Sequence, residues 1–297
     1  MYTSSYAPFN TTTDAAVRKI GLGLLSGALH VGMQQLNRSS SFVDPSTLIT
    51  CGSSGYDYTR MVFGFTDSLQ ASAPIFIQVI FQNRANGPSS APSLVVQTGT
   101  THNGSGTIGG VTSSAYILEF FGGAGDALPI GQEFPLLTFG DQSRGYFGFT
   151  GWTPLNASTA RDRWYLLERN RDVNGTPTGS GMSFLTSPPS IGDNFHEYIN
   201  FQTSSSVRQD QWLTLYSPGN RSYGTYNGRK LIGRVYPNDG QAINIPLVSC
   251  MVPLAESVPI FSTFNYEVNT GDVGTYYVTS AMNNNAGQAS RLAVRID

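Results

Sequence analysis

PIFIQVIF, residues Pro74–Phe81, is a run of β-branched and aromatic residues bounded by turn formers, too short for an ordinary helix and suited to a covered strand. The same character recurs in RMVFGF at Arg60–Phe65, SLVVQ at Ser93–Gln97, AYILEFF at Ala115–Phe121 and YFGFTGW at Tyr146–Trp152. Between these runs lie NGPSSAP, GTTHNGSGTIGG and FGGAGDALPIG, which supply turns and carry no helical period. Strands joined in this way predict an all-β fold of antiparallel, β-sandwich type.

Beyond the charged stretch ARDRWYLLERNRD, residues 174–193 read NGTPTGSGMSFLTSPPSIGD, which predicts a long loop or linker. Further strands are expected at Glu197–Gln202, Gln211–Tyr216, Leu231–Val235, Ala242–Val252, Ile260–Val268, Thr275–Ser280 and Arg291–Ile296. No segment of 20–50 residues repeats, which disfavours solenoids and propellers. The expected organisation is an arm and helix over 1–49, a β domain over 50–173, and over 194–297 either a second β-sandwich-like domain or the second half of one large sandwich.

Residues 1–12, MYTSSYAPFNTT, form a polar arm dotted with aromatics. A helix is expected over 14–36, N-capped by Thr13 or Asp14, with Val17, Ile20, Leu24, Leu25, Ala28, Val31 and Leu36 on one stripe. Glycines 21, 23, 27 and 32 interrupt it, each costing about 1 kcal/mol relative to Ala, so the helix needs a packing partner. Tyr2, Tyr6, Phe9, Ile20, Leu24 and Leu25 are therefore the candidate assembly segment. The alternative is a helix buried within its own subunit. IGLGLLSGALHV at Ile20–Val31 has the length of a signal-peptide apolar region, but the leader before it is long and holds Asp14, and no A-x-A-like site follows. Synthesis in a host cytoplasm without processing is expected, and no stretch is long enough for membrane insertion.

Of the 297 residues, 17 are basic and 19 acidic, so 12% are charged where soluble proteins average about 25%. Ser, Thr, Asn, Gln, Gly and Tyr must fill the solvent-facing positions, leaving little charge repulsion between copies. The 15 Tyr, 17 Phe and 3 Trp supply the apolar bulk of a folded chain. A net charge of −2 gives no general attraction to nucleic acid. All the basic residues except Lys19 and Lys230 are Arg, which suits planar hydrogen bonding at interfaces and equally fits a GC-rich genome. Cys51 and Cys250 belong to no metal or redox spacing and read as two buried thiols.

No catalytic, metal or cofactor constellation emerges. GSGTIG at Gly104–Gly109 matches the dinucleotide fingerprint only formally, because a helix should follow and AYILEFF is strand-like. His196-Glu197 lacks the second imidazole of a zinc motif, Asn200 standing in its place, and His30 and His102 have no evident partner. GSSG at Gly52–Gly55 has the wrong spacing for a nucleophile turn. Asp193 with Glu197, or Asp162 with Glu168, offers the carboxylate pair of a glycosidase, against the commoner reading of surface carboxylates near Arg. Arg161–Asp172 is the densest charge run, expected as a solvated strand with internal ion pairs. Trp164 and Tyr165 within it, with Arg161 and Arg163, form the candidate interface.

Gly271-Asp272-Val273-Gly274-Thr275-Tyr276 resembles the D-x-G-x-Y corner of immunoglobulin-like domains, and Asn285–Ala289 with Arg291–Ile296 resembles their final hairpin. The resemblance implies that Asp272, Gly274 and Tyr276 form a structural corner, with the Tyr276 hydroxyl bonded to upstream backbone. Val278 stands where that family has a disulfide cysteine. In composition and layout the chain is similar to structural proteins of tailed-phage virions. That similarity implies a non-enzymatic homo-oligomer located in the virion and contacting other virion proteins at the tail, baseplate or fibre. The alternatives are a capsid or capsid-decoration protein and a receptor- or glycan-binding module that would present Trp152, Trp164 or Trp212 in a shallow cleft. The tail is preferred over the shell because residues 1–17 hold no Lys or Arg to meet a packaged genome, so no direct nucleic-acid contact is expected.

Overall fold

A computed structural model describes residues 2–8, 13–38, 57–84, 91–104, 106–111, 116–119, 133–152, 162–186, 198–203, 206–212, 232–234, 247–253, 259, 261–283 and 289–297. The fold is all-β and sandwich-like, with three antiparallel sheets and one helix among these residues. The amino-terminal sheet is built from β2 (Gln34–Arg38), β3 (Asp57–Gly64), β4 (Phe76–Arg84), β5 (Ala91–His102) and β6 (Ile108–Val111), in sequence order, with β7 (Tyr116–Glu119) also on β5. The seven-stranded central sheet runs β1 (Tyr2–Pro8), β8 (Glu133–Asp141), β9 (Tyr146–Trp152), β10 (Asp162–Arg171), β11 (Pro177–Thr186), β12 (Tyr198–Thr203), β13 (Ser206–Trp212). The carboxy-terminal sheet runs β14 (Ile232–Arg234), β15 (Cys250–Pro253), β18 (Ala289–Arg295), β17 (Asp272–Asn283), β16 (Thr263–Asn269).

Strand alternation sets what each face of the central sheet covers. Leu137, Phe139, Tyr146 and Leu166 point to one face and join Val248, Cys250, Phe264, Tyr276, Val278 and Val294 of the carboxy-terminal part in a single buried core. Thr138, Phe149, Tyr165 and Leu167 lie on the opposite face and are also buried. There α1 (Thr13–His30) packs on β8, so closely that a Cβ on Gly27 would stand 2.4 Å from Thr138 Oγ1.

The helix is shorter than the apolar stripe suggests. Gly32 adopts φ 87°, and the Met33 amide donates to the Ala28 carbonyl and the Gly32 amide to the Leu29 carbonyl, the paired bonds of a Schellman cap. Leu36 falls beyond the cap, on β2, against Val62, Phe76 and Ile108.

Two further expectations change. Residues 177–186 of the supposed linker are β11, hydrogen-bonded to both β10 and β12, so the central sheet runs straight through this Gly-rich stretch. The amino-terminal arm is a strand: residues 2–8 pair with β8 from Tyr2↔Phe139 to Pro8↔Glu133. The packing partner that the weak helix requires is the chain's own central sheet.

Candidate functional site: buried charges on β10

β10 is the middle strand of the central sheet, and its neighbouring residues Glu168 and Arg169 point to opposite faces. Both are buried, at 0% and 1% exposure, which overturns the expectation of a solvated strand at these two residues of the charge run. The ion pair expected inside the run does occur, between Glu168 and Arg171 at 2.6 Å.

On the carboxy-terminal face the Glu168 carboxylate accepts hydrogen bonds from the Val248 amide at 3.1 Å, the Ser249 amide at 3.1 Å, the Ser249 hydroxyl and Arg171 Nε. Arg171 also donates to the carbonyls of Gly175 at 2.7 Å and Arg144 at 2.5 Å. With both oxygens engaged, Glu168 ties residues 248–249 to the central sheet and is not placed as a general acid. On the other face the Arg169 guanidinium forms a two-bond fork with Asp67 and donates to the Ala73 carbonyl at 2.8 Å and Gln70 Oε1 at 3.2 Å. It also lies 5.5 Å from the centre of the Phe65 ring. The loop between β3 and β4 is thereby fixed to β10. Adjacent residues of one strand thus pin the layers on its two sides.

A second ion cluster borders Glu168. Arg295 meets Asp272 with two bonds of 2.7 and 3.1 Å and donates to Asp297 at 2.8 Å, while Arg144 bridges Asp141 and Asp272. Gly274 makes room for this, because a Cβ there would sit 2.7 Å from Arg295 Nε. The Tyr276 hydroxyl donates to the Val248 carbonyl at 2.6 Å, and burial pushes its pKa well above the ordinary value. Asp272, Gly274 and Tyr276 therefore act together, in a hairpin whose turn passes through Gly271 at φ 84°. Tyr276→Phe is expected to cost about 0.5–1.5 kcal/mol, read from urea unfolding, since one buried carbonyl loses its donor.

Hydrogen bonds from Arg295 hold the Asp272 carboxyl below its ordinary range; burial raises Asp141, but bonds from Ser143 and Arg144 outweigh it and leave it lowered. A carboxylate with a lower pKa folded than unfolded stabilises the fold above the unfolded value and loses that contribution as pH falls through the folded value. Stability is therefore expected to be level in this respect from about pH 5 upward and to fall below about pH 4, and Asp272→Asn should flatten the fall. Thermal melts from pH 2 to 7 measure both.

The other sequence-selected residues are dispersed. Tyr165 is core, stacked on Phe149 at 5.6 Å, and is not available to an interface; Arg163 and Trp164 lie on β10 opposite Gly151 and Thr150. Leu24 is fully buried and Leu25 half-buried in α1, which also contains Ile20, while Tyr2 and Tyr6 lie on β1. Trp152 and Trp212 lie on β9 and β13. Phe9, Arg161, Cys51, Asp193, His196 and Glu197, with the expected strand residues 213–216 and 242–246, lie outside the described residues. Cys250 is a buried core thiol. Ile108 and Gly109 of the GSGTIG string begin β6, hydrogen bonds between Asn103 and Thr107 close the connection from β5, and a strand stands where a dinucleotide site needs a helix. Among the described residues no group of three His, Cys, Asp or Glu is placed to hold a metal, and no helix is long and apolar enough to cross a membrane.

Sequence reading missed Asp67, Arg144 and Arg295 as partners. For Arg295 the available signal was a charge inside an apolar strand, Leu292-Ala293-Val294-Arg295-Ile296, whereas Asp67 and Arg144 lie in a bend and a turn between strands. Comparison with known proteins gave no match to a family model, a curated protein or a solved structure.

Proposed function

We propose that this protein is a non-enzymatic structural component of a virion, associated with the tail, baseplate or fibre of a tailed phage. A place on or in the capsid shell is the neighbouring alternative. One observation carries the reading. The chain has few charges, 17 basic and 19 acidic, and among the described residues nine of these are committed to ion pairs within the fold. Five of the nine, Asp67, Glu168, Arg169, Arg171 and Arg295, have buried side chains and add no charge to the surface, and so sparse a set of charges suits permanent contact with neighbours more than free existence in solution. The described acid–base pairs support this by being mutually satisfied: Glu168, Asp67 and Asp272 each bind an Arg of the same chain.

A receptor- or glycan-binding role is the second reading, favoured by Phe261. This residue is 47% exposed, lies beside Tyr277 and adopts φ 59°, a strained conformation for an aromatic residue that surrounding structure must hold in place. Mass spectrometry of gradient-purified particles from the phage encoding the chain tests the primary reading. Peptides of this chain are expected at a copy number comparable with other particle proteins. Their recovery from infected-cell lysate but not from particles would overturn it.

A further inference from the structure

Edge strands decide where a sheet can meet another chain, because they present open N–H and C=O groups that proteins protect with charge, brevity, bulges or proline. Most described edges carry such a device. β2 ends in Arg38 and slips register, β13 holds Arg208 and Asp210 and slips against β12, and β16 holds Glu267 and slips beside it. β14 is three residues with Arg234, and β6 and β7 are four residues each. β1 differs from all of these. Its residues YTSSYAP carry no charge, and its seven pairs with β8 run without a slip. Pro8, at its end, lacks an N–H and limits the outer ladder, which has no partner strand among the described residues, to Tyr2–Ala7.

We propose that β1 pairs antiparallel with β1 of a second copy, about a two-fold axis perpendicular to the central sheet, so that the sheet continues through both subunits. This rests on the assembly reading above and names its partner and contact. Such an axis keeps every residue on its own face and sets one residue opposite its own image. Centred on Ser4, it places Tyr2 opposite Tyr6 and Thr3 opposite Ser5 across the interface, and leaves Pro8 outside the ladder. Aromatic pairs of this kind favour strand pairing, while like charges placed opposite one another oppose it, and β1 has none.

Ser4→Cys in the full chain tests the pairing, with Ser5→Cys and the unaltered chain as controls for the natural thiols. Mild oxidation is expected to move most of the Ser4→Cys chain into a disulfide-linked dimer on non-reducing gels, with neither control following. If Ser4→Cys gives no more dimer than the controls while light scattering shows an oligomer, the edge pairing is overturned and the assembly reading stands. If light scattering shows only monomer, both fall.

Discussion

Glu168→Ala is expected to lower the unfolding free energy by about 3–5 kcal/mol, read as a lower urea midpoint with unchanged slope. The carboxylate is fully buried and accepts from two backbone amides, a hydroxyl and a guanidinium. Removing it leaves the Val248 and Ser249 donors and the Arg171 charge, itself 5% exposed, without that acceptor in the interior. Glu168→Gln keeps the shape but turns one acceptor into a donor facing donors, so an intermediate loss is expected. A loss below about 1 kcal/mol for the Ala variant would show that residues 248–249 are not held by this group.

The second large effect belongs to the opposite face of the same strand. Arg169→Leu is expected to cost about 3–5 kcal/mol, because Asp67, at 7% exposure, would keep a negative charge with its fork partner gone. Combining it with Asp67→Asn should recover much of that loss, since the stranded charge disappears with its partner. Equilibrium unfolding of the two single variants and the double variant gives the coupling energy directly. Additive losses would mean that the pair is not coupled and that packing on Phe65 and Ala73 dominates.

The sequence made the apolar strands legible and hid the polar ones. Runs such as Pro74–Phe81 and Tyr146–Trp152 correspond to β4 and β9 within a few residues, because burial on both faces demands a continuous apolar string. β1 and β11 escaped because YTSSYAP and PTGSGMSFLT look like an arm and a linker; their strand state comes from pairing with β8 and with β10 and β12. β8 contains Pro135, which argues locally against a strand, yet at that residue only β1 pairs with β8. The charges of β10 were misjudged for a related reason. Their partners Asp67 and Val248 lie 102 and 80 residues away, and a local window around Arg169 or Glu168 shows only an unusually polar strand. For the candidate site, Asp272, Gly274 and Tyr276 were legible as a local motif, whereas Arg295 gained its role only through the β17–β18 pairing.

The solution mass of the purified full chain, measured by light scattering at micromolar concentration in 0.15 and 1 M salt, tests the assembly claim most directly. The account predicts a multiple of the 32.0 kDa chain mass at both salt concentrations, because a charge-poor contact is little affected by ionic screening. A 32.0 kDa monomer under both conditions would contradict it.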